Sequence, residues 1–215
     1  MRAAAAGLLV LALAAAAPYA RAAPGPTSAA PPADSRNERA IARGEAGVEA
    51  FDRGDWSAAL AAFREADQLF HSPVFTLYEA RCLRNLGRLR EAKARFESTA
   101  RETFDDAAPK TWAEAKKSAS AELTSLDAEL PRVRIELVGA SGAAVASLDG
   151  ATVAIGQPLE VDPGGHDIEA HDGALVRRMH LIARRGDATR VAQLDMTPPQ
   201  AAAAPGPSEI GRAHV

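Results

Sequence analysis

The chain contains a single cysteine, Cys82, so it can form no internal disulfide and no multi-cysteine zinc site. Aromatic residues make up only 5% of its 215 residues, and lysine occurs only at positions 93, 110, 116 and 117. Neither sign of charge dominates. There are 25 Lys and Arg against 28 Asp and Glu, a formal charge of −3. That balance excludes the strongly basic surface of a general nucleic-acid binder. What the chain has in quantity is alanine, roughly a quarter of all residues. Together with the preference for arginine over lysine, this points to a high-GC bacterial gene.

The first residues read as a targeting segment. Arg2 precedes an uncharged apolar run over residues 3–17. The run is shorter than the ~20 residues of a spanning helix and suits the apolar region of a signal peptide. Ala20-Arg21-Ala22 offers small residues where a signal peptidase reads them, so residues 1–22 are expected to be removed by cleavage after Ala22. Export to the periplasm or cell envelope follows, and a lone thiol suits an oxidising compartment. Residues 23–34, with Pro24, Pro26, Pro31 and Pro32, form a stretch that cannot bury a core and is expected to be a flexible linker.

Residues 35–130 carry helical signals and an internal repeat. Gly54-Asp55-Trp56 is followed by Ala59, Phe63 and Ala66. Gly87, Ala92 and Phe96 recur at a constant offset from Gly54, Ala59 and Phe63, of the length of a helix-turn-helix solenoid unit. Each glycine is placed to end a helix in a left-handed turn. Each alanine lets two helices approach, and each phenylalanine fills the wedge between them. On these residues, with Gly47 and Ala80, the chain resembles the tetratricopeptide repeat family, with units at about 39–72 and 73–103. Thr99 stands where the second unit would carry its last alanine. Ser72-Pro73 reads as a helix start. A third stripe, Trp112, Ala119, Leu123, Leu126 and Leu130, predicts a helix that caps the second unit. A free amphipathic helix that dimerises is the alternative. Glu122 and Glu129 are assigned to its other faces.

At Pro131 the pattern changes to period two, with Val133, Ile135 and Leu137 alternating with charged residues. Asp149-Gly150 and Asp172-Gly173 are hairpin turn signals, and Asp162-Pro163-Gly164-Gly165 is a tight turn. Six or so short strands over residues 131–197 predict a small sandwich. Val161, Pro163, Gly164 and His166, within residues 147–173, resemble the corresponding turn of the PEGA family of small extracytoplasmic β-modules. A β-domain of this size is marginal alone and is expected to dock on the capping helix or on a partner. The expected fold class is therefore α+β in separate domains. Two tetratricopeptide-like helical hairpins and a capping helix (35–130) precede a small all-β, PEGA-like sandwich (131–197).

No constellation for catalysis emerges, and neither a cofactor nor a metal site is expected. His166 and His171 lie five apart on one strand and so point to opposite faces. Ser141 lacks the strand–elbow–helix setting of a hydrolase nucleophile. Cys82 falls within a helix where burial is expected. Arg177-Arg178 and Arg184-Arg185 read as solvated strand edges. The best candidate is the groove lined by the first helix of each repeat, with Ile41, Val48, Phe51 and Asp52 from one unit and Leu77, Arg81, Arg84 and Asn85 from the other. The proposed partner-binding residues are Phe51, Leu77, Arg81, Arg84 and Asn85. Resemblance to the carboxylate-gripping grooves of some tetratricopeptide repeats makes Arg81 and Arg84 candidates for bidentate bonds to an acidic partner. Reversing these charges would then alter stability little. The expected function is a non-enzymatic adaptor that binds a protein or peptide and no nucleic acid. The alternative is an envelope structural module whose β-domain binds polysaccharide or peptidoglycan.

Residues 198–208 read as a Pro/Ala linker. Residues 209–215 are expected to be a translated sequencing adapter, because ATC GGA AGA GCA CAC GTC encodes the residues from Ile210 to Val215. In that reading His214 and Arg212 carry no function, and a membrane anchor is expected in the natural continuation.

Overall fold

The computed structural model describes residues 33–199, all within one compact unit. The expected signal peptide, the linker up to residue 32, and residues 200–215 with their expected adapter sequence lie outside the described residues. Five helices precede seven strands: α1 Ala33–Asp52, α2 Trp56–Leu69, α3 Pro73–Asn85, α4 Leu89–Arg101 and α5 Lys110–Glu129, then β1 Arg132–Val138, β2 Val145–Leu148, β3 Ala151–Val153, β4 Pro158–Glu160, β5 Gly164–Asp172, β6 Leu175–Ala183 and β7 Arg190–Asp195. The fold is α+β, with helices N-terminal and strands C-terminal.

Local chemistry accounts for the helix boundaries. Gly54 and Gly87 adopt φ of +77° and +78° in the two equivalent turns, a conformation that costs a residue with a side chain more than it costs glycine. Asp55 caps α2 by accepting the Ala58 N–H at 3.1 Å. Ser72 caps α3 through the Val74 N–H at 3.3 Å, with Pro73 in the first turn. Each helix packs on its neighbours in sequence, and α5 also packs on α3. Ala59, Ala66, Ala80, Ala92 and Ala119 are fully buried at these crossings. A Cβ on Gly47 would come within 2.7 Å of Phe63, so the approach of α1 to α2 depends on a residue without one.

The strands form two sheets, β4-β1-β7 and β3-β2-β5-β6. β1 pairs antiparallel with β4 and parallel with β7. The period-two residues Val133 and Ile135 of β1, with Ala192 and Leu194 of β7, join Ala146 of β2, Ile168 and Ala170 of β5 and Ala183 of β6 in one apolar core. Asp149 at φ +51° and Gly150 at φ +80° make the β2–β3 turn, the pair of positive values that matches strand twist. The Asp162-Pro163 turn carries the chain from β4 in one sheet to β5 in the other.

The helical core and the strand core meet over a short joint: Leu130 belongs to the first and Val133 to the second. Lys93 of α4 reaches Glu160 of β4 at 2.6 Å and Asp127 of α5 at 3.2 Å. The Gly186 N–H donates to the Glu129 carbonyl at 2.7 Å, and Arg185 donates to the Arg84 carbonyl at 2.6 Å. These contacts tie the strand region to α3, α4 and α5.

Candidate functional site

The space between α1 and α3, floored by Phe63 of α2, forms one open hollow, and a second opens between α3 and α5 beside Phe51. The first, about 520 Å³, is lined by Ile41, Gly44, Glu45, Val48 and Glu49 of α1, by Phe63, and by Val74, Phe75 and Tyr78 of α3. Ile41 and Val48 lie seven apart on one face of α1 and remain 51% and 38% exposed. Phe75 lies over Gly44, where a Cβ would come within 2.6 Å of its ring. Tyr78 stacks on Phe63 with centroids 5.0 Å apart and meets Phe51 edge-on at 5.4 Å. This aromatic group joins the first hollow to the second.

The second hollow, about 320 Å³, is lined by Phe51, Arg81, Arg84, Asn85, Glu122, Glu129 and Arg185. Four of the five residues singled out in the sequence therefore come together here. Leu77 does not: it is 4% exposed and packs in the helical core, because its side of α3 faces the neighbouring helices. Asn85 donates to the Arg81 carbonyl at 3.0 Å.

The arginine pair already grips carboxylates, and they belong to α5. Arg81 donates from Nε and Nη2 to Glu122 Oε1 at 2.9 and 2.6 Å, and its guanidinium sits 5.0 Å from the centre of the Tyr78 ring. Arg84 is paired with Glu129 and donates to Ser125 Oγ at 3.1 Å. The hydrogen bond from Arg84 holds the Glu129 carboxyl below its usual range. Glu122 and Glu129, assigned in the sequence to other faces of the capping helix, instead face α3, because their seven-residue spacing places both on the stripe that runs beside it. A partner carboxylate at Arg81 or Arg84 would have to displace them.

The strands carry polar pairs. Asp167 and His180, and likewise Glu169 and Arg178, are register partners on β5 and β6, and they pair at 2.8 and 2.7 Å. Arg177 donates to the Asp195 carbonyl at 3.0 Å, and Ser141 is hydrogen-bonded to Asp172. His166 is nearly buried, with Nδ1 at 2.7 Å from Asp149 Oδ2 and Nε2 at 2.8 Å from the Asp162 carbonyl. It joins three segments of the fold, a role that sequence spacing alone did not signal. Residues 131–197 contain no Phe, Tyr or Trp.

Cys82 is fully buried, and burial, reinforced by the charge of Glu79, pushes its thiol up to about 12. It is therefore protonated at neutral pH and a poor nucleophile. Among the described residues, no three His, Cys, Asp or Glu side chains gather as metal ligands, and no helix is long and apolar enough to cross a membrane. No family model and no curated protein matches the chain.

Proposed function

We propose that the protein is an exported, non-enzymatic adaptor of the bacterial cell envelope that holds a protein or peptide in the groove between α1 and α3. In this reading α1–α2 and α3–α4 are two tetratricopeptide-type hairpins and α5 is their cap. The two sheets form a PEGA-like sandwich that braces them. The observation that carries the proposal is the first hollow: a concave apolar surface open to solvent, with Ile41 and Val48 exposed on its wall. Its volume falls within the ~300–1,000 Å³ of typical ligand sites, and covering it would remove apolar surface from water at about 25 cal/mol per Å². Export is proposed from the apolar run and cleavage site in residues 1–22.

The rival reading, glycan binding by the strands, has less support. The outward charges of β5 and β6 are paired with one another, and the strand region has no Phe, Tyr or Trp ring on which a sugar could stack.

Affinity capture from solubilised envelope separates the two. The full chain should retain a protein, and the Ile41→Glu, Val48→Glu double variant should lose it while melting within a few degrees of the wild type. Retention of peptidoglycan fragments by both forms, with no protein retained by either, would favour the rival.

A further inference from the structure

The groove carries unmatched negative charge on one wall. Ile41, Glu45, Val48 and Asp52 follow one another at intervals of four, three and four residues, a single stripe along α1 in which apolar and acidic side chains alternate. Among the described residues, neither Glu45 nor Asp52 has a cation within ion-pair distance. Glu49 has only Arg53, an exposed residue one turn along, at 3.9 Å. Among the described residues, no Lys or Arg lines the first hollow. Arg43 pairs with Glu65 at 2.9 Å, and Arg81, Arg84 and Arg185 share Glu122 and Glu129. The charged side chains that line the apolar hollow are therefore Glu45 and Glu49 of α1, both acidic.

We propose, building on the adaptor reading, that the groove's occupant is a basic, apolar peptide segment: one bulky apolar side chain seated between Val48 and Phe75, with Lys or Arg within about one helical turn on either side to meet Glu45 and Glu49. This reverses the acidic partner suggested by Arg81 and Arg84. The apolar anchor supplies most of the affinity. The acidic rim selects the partner and speeds its capture, and ionic strength weakens it.

The test is selection of phage-displayed random twelve-residue peptides on the immobilised full chain. Enriched peptides should carry an aromatic or aliphatic anchor flanked by Lys or Arg. Synthetic copies should bind about three- to tenfold more weakly to the Glu45→Lys, Glu49→Lys variant, as two rim ion pairs imply. Both substitutions are at exposed helix positions, and circular dichroism checks the fold. Reselection on that variant should enrich Asp and Glu around the same anchor. Enrichment of acidic peptides on the wild type, with binding abolished by Ile41→Glu, Val48→Glu, would overturn this inference and leave the adaptor reading standing. Either no enrichment at all, or enriched peptides indifferent to both double variants, would overturn both.

Discussion

The carboxylate of Asp162 accepts the backbone N–H of Arg90 at 2.9 Å. A residue on the link between the two sheets thereby satisfies one of the free donors in the first turn of α4. The carbonyl of the same aspartate faces His166 Nε2, and Asp149 faces Nδ1. His166 therefore fastens the β2–β3 turn to the crossover between the sheets, and Asp162 fastens that crossover to the start of α4.

That arrangement makes stability depend on pH. Both ring nitrogens of His166 face acceptors, so the doubly protonated ring fits best. Burial opposes the charged form, but the hydrogen bonds to Asp149 and to the Asp162 carbonyl outweigh it and raise His166 above 6.5. A group whose pKa is higher in the folded state contributes fully below its unfolded value, and that contribution is lost as pH rises through the folded value. The midpoint of urea unfolding should therefore fall as pH rises above about 6.5. His71, also raised through Asp67 and Glu102 despite its partial burial, adds to the same trend. His166→Gln should cost about 1–2 kcal/mol at pH 6 and less at pH 8. An equal cost at both would show that the ring is held neutral.

Reversing the groove arginines should not be neutral. Arg81→Glu with Arg84→Glu would place two more carboxylates against Glu122 and Glu129, with all four original side chains only about a quarter exposed. A loss of about 1–3 kcal/mol is expected. Adding Glu122→Arg and Glu129→Arg should restore at least half of it in the same denaturation assay. If the first pair of substitutions leaves the midpoint unchanged, the ion pairs contribute nothing to the fold.

Glu79 tests the interior of the helices. It is 1% exposed, and its Oε2 receives no hydrogen bond, although Arg95 and Arg64 approach to 3.3 and 3.7 Å. Burial drives its carboxyl above the usual range against the pull of Arg95. Its ionised form therefore weakens the fold as pH rises through its folded pKa. Glu79→Gln should match or exceed the wild type in stability at pH 7 and fall behind it at pH 4. A loss above about 2 kcal/mol at pH 7 would mean that the two arginines more than offset desolvation.

Phe63 should be the costliest single truncation. It is 1% exposed, stacks on Tyr78, and lies against Gly47. Phe63→Ala should cost about 3–5 kcal/mol and open the floor of the groove. Thermal unfolding measures the loss, and a cost below about 1 kcal/mol would place the residue outside the core.

Features set by local sequence were legible. The offset between Gly54 and Gly87 located two turns that both adopt positive φ, and Asp149-Gly150 marked a hairpin. Features set by distant partners were not. The parallel pairing of β1 with β7 joins strands more than fifty residues apart and leaves no local trace. The same holds for His166, whose partners come from two other segments. Glu122 and Glu129 could have been read from their spacing, which repeats every two turns and places both carboxylates where two arginines one turn apart can meet them. Without knowing which face of α5 lies beside α3, that spacing also fits a solvated surface.

A partner docked between α1 and α3 lies within reach of Val48. Photo-crosslinking in intact envelopes tests such docking most directly, with a photoreactive amino acid placed at Val48 in one form and at the exposed Ile182 of β6 in another. A discrete protein adduct is expected from position 48 and none from position 182. Adducts from position 182 alone, whether to protein or to glycan, would contradict docking between α1 and α3.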